Sequence, residues 1–494
     1  MKRADIVCIR LIRAAEKCSQ ENQLMPCLTE AFGEKEASNI FALATYCATE
    51  NAPMYLYENW AHATDGAGSC AISSQHISGF LKRLGENEGG REAFWWTWAN
   101  LHGRNRNLVF DISSISTYSE NLVFDEFGYS RDGESLLQTN VGMIFADRPV
   151  CPLGYRTYPG SIADVFTMTN LLCLMNKEYN LEHSRLVLDR GFYSAANIAS
   201  LENAGYDFII PLLLSLVALR ELLRSTERDF DDVFFYFKFN GRVMRHVARS
   251  IELAGRVYEA HIFTDFGHRA DETNTLLRKL AIVEERLNGM KFETKKATAL
   301  FIDSVAAGMS SMFTAKKTAR HLQIDRNCKA INEYALKFGK IILLPSRAGT
   351  DRNTLLEDYC RRDEVEKFFD TLKNEMDSGR GRVHSQDNFD ERLFVHKVSL
   401  IIYGEMLFRL KTNGGKMRMS FQEIVSHLKR LKQIYSEDGS SVSSERTKKQ
   451  RKIFAALKSR RTADLVIKTG GFQVTEDKIY CNKDNRNYLE ENGI

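Results

Sequence analysis

The spacing of apolar residues changes character along the chain. Up to about residue 105 it runs at the helical period, with amphipathic stretches near residues 5–18, 37–48 and 75–84. In the last of these, Ser73 or Ser74 is placed to cap a helix whose apolar face is Ile77, Phe80, Leu81 and Leu84. Lys82 and Arg83 lie beside that face, so the segment reads as a recognition helix or as one helix of a small bundle. The bundle is favoured because nothing marks a partner helix. Phe94, Trp95, Trp96 and Trp98 gather three of the four tryptophans and read as the glue between this domain and the next.

Beyond residue 105 the period shortens to two. Residues 108–113 (LVFDIS), 138–146 (QTNVGMIFA) and 150–157 read as consecutive antiparallel strands. A helix over 164–179 follows, then a strand over 185–188 that ends in Asp189, a helix over 194–204 and a strand over 206–210. Three strands, helix, strand, helix is the opening order of an RNase-H-like α/β core. Residues 220–345 interrupt it with an aromatic, strand-rich part, charged helical sequence and the strand KIILLP. The expected division is a helical N-terminal domain (1–105), the first part of the core (106–219) and a β-rich insertion (220–345). The second part of the core (346–412) and a basic helical C-terminal region (413–494) complete it.

The core is expected to resume over residues 357–377, read as one helix. Tyr359, Arg362, Glu366 and Lys373 stand at offsets that project to about 0°, 300°, 340° and 320° on a helical wheel, one narrow stripe. Val365, Phe368, Phe369, Leu372 and Met376 occupy the neighbouring arc at about 180° to 280°, so one side can be buried while the other aims the polar groups. Charges three and four apart are routine on solvated helix faces. What singles out this stripe is its combination of an acid with two bases and a phenol, which suits a metal ion and a phosphate backbone. An apolar helix over 393–410 closes the core.

Composition narrows the picture further. With 494 residues and 44% hydrophobic content the chain suits two or three globular domains. The net charge of +4 is small, but the basic residues cluster. Residues 446–461 carry eight Lys and Arg and no acid, a second run holds His427, Lys429, Arg430 and Lys432, and the N-terminus adds Lys2, Arg3, Arg10 and Arg13. Such clusters suit a polyanion, or a solvated tail. The ten cysteines are scattered singly with no CxxC, the usage of a reduced intracellular protein. The first twenty residues are too often interrupted by charge for a signal peptide, and the apolar run 208–219 is broken by Pro211 and too short to span a bilayer. A cytoplasmic location is the expectation.

Three carboxylates carry the candidate chemistry. Asp111 stands mid-strand among apolar residues, where an unpaired charge is expensive. Asp189 stands at the carboxyl end of the strand LVLD, where open α/β sheets place ligands. Glu366 lies on the later helix. In an RNase-H-like layout these positions converge, and hard oxygen ligands suit Mg2+ or Mn2+ far better than zinc. Two such ions roughly 3.5 to 4 Å apart activate the attacking oxygen and stabilise the leaving one in phosphodiester displacement.

At these residues the sequence resembles the insertion-sequence-four type of DDE transposase. Tyr359, Arg362, Glu366 and Lys373 match the Y-x2-R-x3-E-x6-K signature of that family, LVLDRGFYS resembles its second motif with Asp189, and VFDISSIS its first with Asp111. The segments GYSRDG (128–133) and YPGSIAD (158–164) resemble the subgroup with a long β-insertion, and the likeness runs from about residue 70 to 411.

The resemblance implies that Asp111, Asp189 and Glu366 hold divalent metal and are catalytic, while Tyr359, Arg362 and Lys373 contact DNA phosphates. It implies nicking at terminal inverted repeats, attack of the freed 3'-hydroxyl on target DNA and a homodimer that joins two ends. Related enzymes pass through a hairpin and flip a base onto an aromatic, for which the insertion offers Phe234, Phe235 and Tyr236. One departure is PLLLSLVALRELL after the second motif, more apolar than the lysine-bearing segment expected there. Two competing readings are an RNase-H-like nuclease not engaged in mobility, which has no need of the phosphate-gripping residues, and a catalytically silent DNA-binding relative, which would have lost a carboxylate.

Overall fold

A computed structural model describes residues 5–8, 10–50, 52–64, 67–117, 124–128, 136–181, 184–228, 232–253, 255–317, 322–371, 380–381, 386–415, 419–435, 441–458, 472–475 and 478–481. Behind a short strand β1 (Asp5–Cys8), the helical period of the first hundred residues produces six helices. They are α1 (Arg10–Glu21), α2 (Leu24–Phe32), α3 (Glu34–Thr49), α4 (Tyr57–His62), α5 (Ser74–Glu86) and α6 (Glu88–Gly103). From Ile40 to Thr49 every residue of α3 is buried, a pattern a helix adopts only at the centre of a bundle.

The period-two region builds one ten-stranded sheet. Strands β2 (Asn107–Thr117), β3 (Leu137–Asp147) and β4 (Val150–Pro159) form an antiparallel meander. Helix α7 (Met168–Cys173) crosses over to β5 (Arg185–Val187), which pairs parallel with β2, and α8 (Ala195–Asn203) leads to β6 (Asp207–Pro211), parallel with β5. After α9 (Leu219–Arg228) the chain forms β7 (Tyr236–Phe239), β8 (Arg242–Leu253) and β9 (Arg256–Asp265). A smaller core of Leu276, Leu280, Val283, Ile302, Met312 and Phe338 then unites α10 (Phe266–Leu287), α11 (Lys295–Val305), the hairpin β10 (Phe313–Lys317) with β11 (Leu322–Arg326), and α12 (Cys328–Ala335). Strand β12 (Lys340–Pro345) returns between β6 and β9, antiparallel to both. The full order is β4-β3-β2-β5-β6-β12-β9-β8-β7, with β13 (Arg380–Gly381) alongside β2, so the insertion strands extend the core sheet itself.

Helices α13 (Arg352–Cys360) and α14 (Arg362–Asp370) follow β12, and α15 (Gln386–Asn413) runs through the middle of the molecule. The chain continues with α16 (Phe421–Lys429), β14 (Lys432–Tyr435), β15 (Ser441–Ser443) and α17 (Lys448–Lys458). The C-terminal region therefore contains strands as well as helices, and β14 pairs antiparallel with β1. The tryptophan-rich α6 forms the seam between helical region and sheet. Trp98 is buried and donates from Nε1 to the Pro152 carbonyl at 2.8 Å, Trp95 meets Tyr155 edge-on, and Phe94 meets Phe394 of α15.

The far half of the sheet holds a histidine pair that makes stability depend on pH. His246 Nε2 lies 3.0 Å from His261 Nδ1, and His261 Nε2 lies 3.5 Å from a Glu259 oxygen. Burial, then His261 and Arg352, push the His246 pKa down to about 4 against the pull of Glu259 and Asp351. Burial also lowers that of His261, against Glu259. Both rings are thus neutral in the fold but ordinary once unfolded, so the unfolded chain binds the extra protons between the ordinary histidine range and pH of about 4. Stability present at neutral pH is lost as the pH falls through that window. The share due to His246 is on the order of 2 kcal/mol between about pH 7 and pH 5. In melting curves His246→Gln should show a shallower loss over that interval than the parent, and equal slopes would rule the assignment out.

Candidate active site

Strand alternation decides which way the acids point. Phe110 of β2 meets Phe192 on one face of the sheet, so Val109 and Asp111 face the other. On that second face Phe145, the partner of Val109, packs against Phe368 and Phe369 of α14. Asp111 therefore lies on the face that α14 covers, 8% exposed, its Oδ1 accepting the Ile112 N–H at 2.9 Å. The parallel register pairs Val109 with Val187. Continued by two residues, it sets Asp111 opposite Asp189, which is still extended (φ −82°, ψ 161°) before the turn Arg190–Phe192.

The third acid arrives through an arginine. Arg362 Nη1 lies 2.5 Å from Asp189 Oδ1, and Nη2 lies 2.5 Å from Glu366 Oε1. The Arg362 side chain is 14% exposed, Glu366 about half exposed, and Arg362 Nε is buried with no hydrogen-bond partner among the described residues. Burial alone disfavours the charged guanidinium. Attraction to Tyr359, Asp189, Glu366 and Asp111 outweighs it, and the Arg362 pKa is raised. Tyr359 carries the Arg362 guanidinium 5.7 Å from its ring centre, and burial pushes its phenol up to about 12, so it stays a protonated donor.

The stripe expected on one continuous helix is divided. A turn at Arg361 separates α13 from α14, yet Arg361 keeps helical angles (φ −64°, ψ −20°), so Tyr359 and Arg362 remain neighbours. Partly buried ion pairs flank the break. Asp358 receives Arg148 at 3.4 Å and Arg185 at 3.3 Å, and Arg361 approaches Asp147 at 3.9 Å. Lys373, Leu372 and Met376 lie outside the described residues, as do residues 129–133 of the GYSRDG segment.

On the Phe110 face of the sheet is a cavity of about 340 Å³ whose lining includes Ser114, Asn140, Asp164 and Gly191. Asn140 Nδ2 donates to the carbonyls of Pro159, Gly160 and Ile162, which folds the YPGSIAD segment against β3. A Cβ on Gly160 would stand 2.0 Å from the Gln138 carbonyl oxygen, so only glycine allows that approach. Asp164 Oδ2 lies 3.1 Å from where a Gly191 Cβ would be, directly behind the Asp189 turn. In the sequence, the acid that ends YPGSIAD is the local signal for this contact.

The profile of the family described as Transposase DDE domain matches residues 105–402. The chain belongs to this family. It is thereby a DNA transposase, of a class that cleaves and rejoins phosphodiester bonds and generally uses divalent metal ions. No curated protein gives a significant sequence match. Among solved structures, the piggyBac transposase synaptic complex with hairpin DNA aligns over 80% of this chain and 70% of its own, with a TM-score of 0.37 and 9% identity. Among the described residues no helix is long and apolar enough to cross a membrane.

Whether the transposase carboxylates suit a metal can be judged from Arg362. Their donor chemistry fits Mg2+ or Mn2+, but as arranged no three His, Cys, Asp or Glu among the described residues stand close enough to hold an ion. Arg362 supplies the positive charge between Asp189 and Glu366 instead. Arg362→Gln should therefore strengthen Mn2+ binding to the free protein by about tenfold, the equivalent of 1.4 kcal/mol, in a titration followed by electron paramagnetic resonance. Weaker Mn2+ binding in the variant would show that Arg362 supports the ion site.

Proposed function

We propose that this transposase is of the insertion-sequence-four type and carries out cut-and-paste transposition. In this reading it nicks DNA at the terminal inverted repeats of an insertion sequence in a prokaryotic cytoplasm and transfers the freed 3'-hydroxyl to target DNA. The observation that carries the reading is the convergence on one sheet face of Asp111 and Asp189, level on adjacent parallel strands, with Glu366 tied to Asp189 through Arg362. The strand order β4-β3-β2-β5-β6, antiparallel and then parallel, supports an RNase-H-like core.

Asp111, Asp189 and Glu366 would hold Mg2+ or Mn2+, two ions in all. The metal supplies Lewis-acid stabilisation of the attacking and leaving oxygens. The chain's own residues do the positioning. Arg362, released from its carboxylates, presents a planar fork to a phosphate. Tyr359 donates from a phenol that stays protonated, and Lys373 is assigned a point charge farther along the strand. The helical region 1–105 and the insertion 220–345 are assigned to gripping the DNA end, and a homodimer joins two such ends. In the insertion Phe234 is 83% exposed, as an aromatic that receives a flipped base must be before DNA arrives.

The test is cleavage of DNA carrying the flanking repeats, with Mg2+ or Mn2+ as the only variable. Metal-dependent nicks at the repeat boundaries are expected. Sequence-specific binding without cleavage would favour the silent DNA-binding relative, and cleavage indifferent to the repeats would favour a nuclease with no role in mobility.

A further inference from the structure

Two basic segments from opposite ends of the chain meet in the fold. Arg13 and Lys17 of α1, Arg446 just before α17 and Lys458 at its end line one cavity of about 250 Å³ floored by Phe454 and Leu457. All four cations are exposed, and no acid is among the described residues that line the cavity. The nearest charges of opposite sign on these elements are exposed Glu16 and Glu445, and Glu21, which Lys17 approaches at 3.6 Å.

The walls are held by buried contacts, so the cations stand on a built frame. Arg409 of α15 ion-pairs with Glu21 of α1 and with Glu405, and its Nη1 donates to the Leu457 carbonyl at 3.2 Å. Cys18 Sγ reaches the same carbonyl at 3.8 Å, and Asn413 Nδ2 donates to the Ala456 carbonyl at 3.1 Å. The last carbonyls of α17, open in an isolated helix, thus receive donors from α1 and α15. The Arg446 guanidinium lies 5.2 Å over the Phe454 ring, which fixes it at the rim.

Cations gathered around one cavity attract an anion, and the outer face of α17 extends the charge with Lys448, Lys449, Arg451 and Lys452, all exposed. The apolar face of α17 is spent on its own core through Ile453, Phe454 and Leu457, so the helix has nothing to insert into a lipid surface. Lys411, two residues beyond Arg409 and on the opposite side of α15, sits 3.7 Å from Glu364 of α14, so α15 stands between the basic frame and α14.

We propose that this composite cavity is a backbone-phosphate site for double-stranded DNA. The proposal rests on the transposition reading above for the identity of its polyanion. It makes the two termini a single binding element, which neither basic segment is alone.

The test uses the full chain and two double variants, Arg13→Gln with Lys458→Gln, and Arg446→Gln with Lys452→Gln. The probes are a duplex carrying the terminal repeat and a scrambled duplex of equal length, titrated by fluorescence anisotropy over a range of KCl. For each double variant, affinity should fall about tenfold on both duplexes alike, and the slope of log K against log salt should drop by nearly two, with the melting temperature unchanged. Unchanged affinity and slope in both double variants overturn the proposal, as does a loss confined to the repeat duplex. If the parent cleaves repeat DNA while the variants bind like the parent, only this proposal fails. A parent that binds no duplex overturns this proposal and the transposition reading together.

Discussion

Replacing any one of Asp111, Asp189 and Glu366 with alanine should abolish nicking at the repeat ends, by roughly a thousandfold or more, while DNA affinity should stay within a few-fold of the parent. The magnitude follows from the role assigned to the acids. Losing a Lewis acid forfeits several kcal/mol of transition-state stabilisation, and each 1.36 kcal/mol is tenfold in rate. Affinity is spared because it comes from the cations, and removing an acid from a phosphate-binding surface does not weaken attraction to a polyanion. Folding is the control that matters for Asp111, which is 8% exposed and accepts the Ile112 N–H. Asp111→Asn keeps that acceptor and loses the charge, so it should match the parent in melting temperature and the alanine variant in inactivity. Glu366 is half exposed, and its alanine variant should fold normally. Cleavage that survives any one substitution removes that residue from the set.

Arg409→Ala should destabilise the protein by about 3–5 kcal/mol, the range for removing one partner of a buried ion pair. Arg409 is 1% exposed and Glu405 3%, so truncation removes the cation of a buried ion pair, and Glu21 and the Leu457 carbonyl each lose one of their donors as well. The effect should be local before it is global. With one donor at its end gone and its arginine link to Glu21 of α1 cut, α17 should become the first site of limited proteolysis. Paired replacement, Arg409→Met with Glu405→Leu, leaves no stranded charge and should recover most of the melting temperature. If Arg409→Ala melts like the parent, the triad contributes nothing to stability, and the frame of the basic cavity needs another explanation.

These two sites differ in how far they could be read from the chain. Asp111 was conspicuous because a charge in the apolar run LVFDIS has no local reason to be there, and Asp189 because it ends a buried strand just before a turn. Local pattern also located β2, β3, β4, β5, β6 and β12 to within a few residues, since the period-two alternation and the turn residues are properties of short segments. Arg409 gave no such warning. It lies in an apolar helix read as a closing element, and its partners Glu21 and Leu457 are far away in sequence. The break at Arg361 was hidden for the same reason, because the pairing of Asp358 with Arg148 and Arg185 joins segments that no window contains.

By itself the sequence determined the main strands of the core sheet, the three candidate carboxylates and the grouping of Tyr359, Arg362 and Glu366, because each depends on residues within a few positions of one another. Tertiary structure alone decided that the insertion strands join the core sheet through β12, that Arg362 stands between Asp189 and Glu366, and that α1 and α17 form one basic cavity. Those outcomes depend on which buried charges and sheet edges find partners across the whole chain. The cost of leaving a charge or a backbone group unpaired is settled only once every other segment is in place.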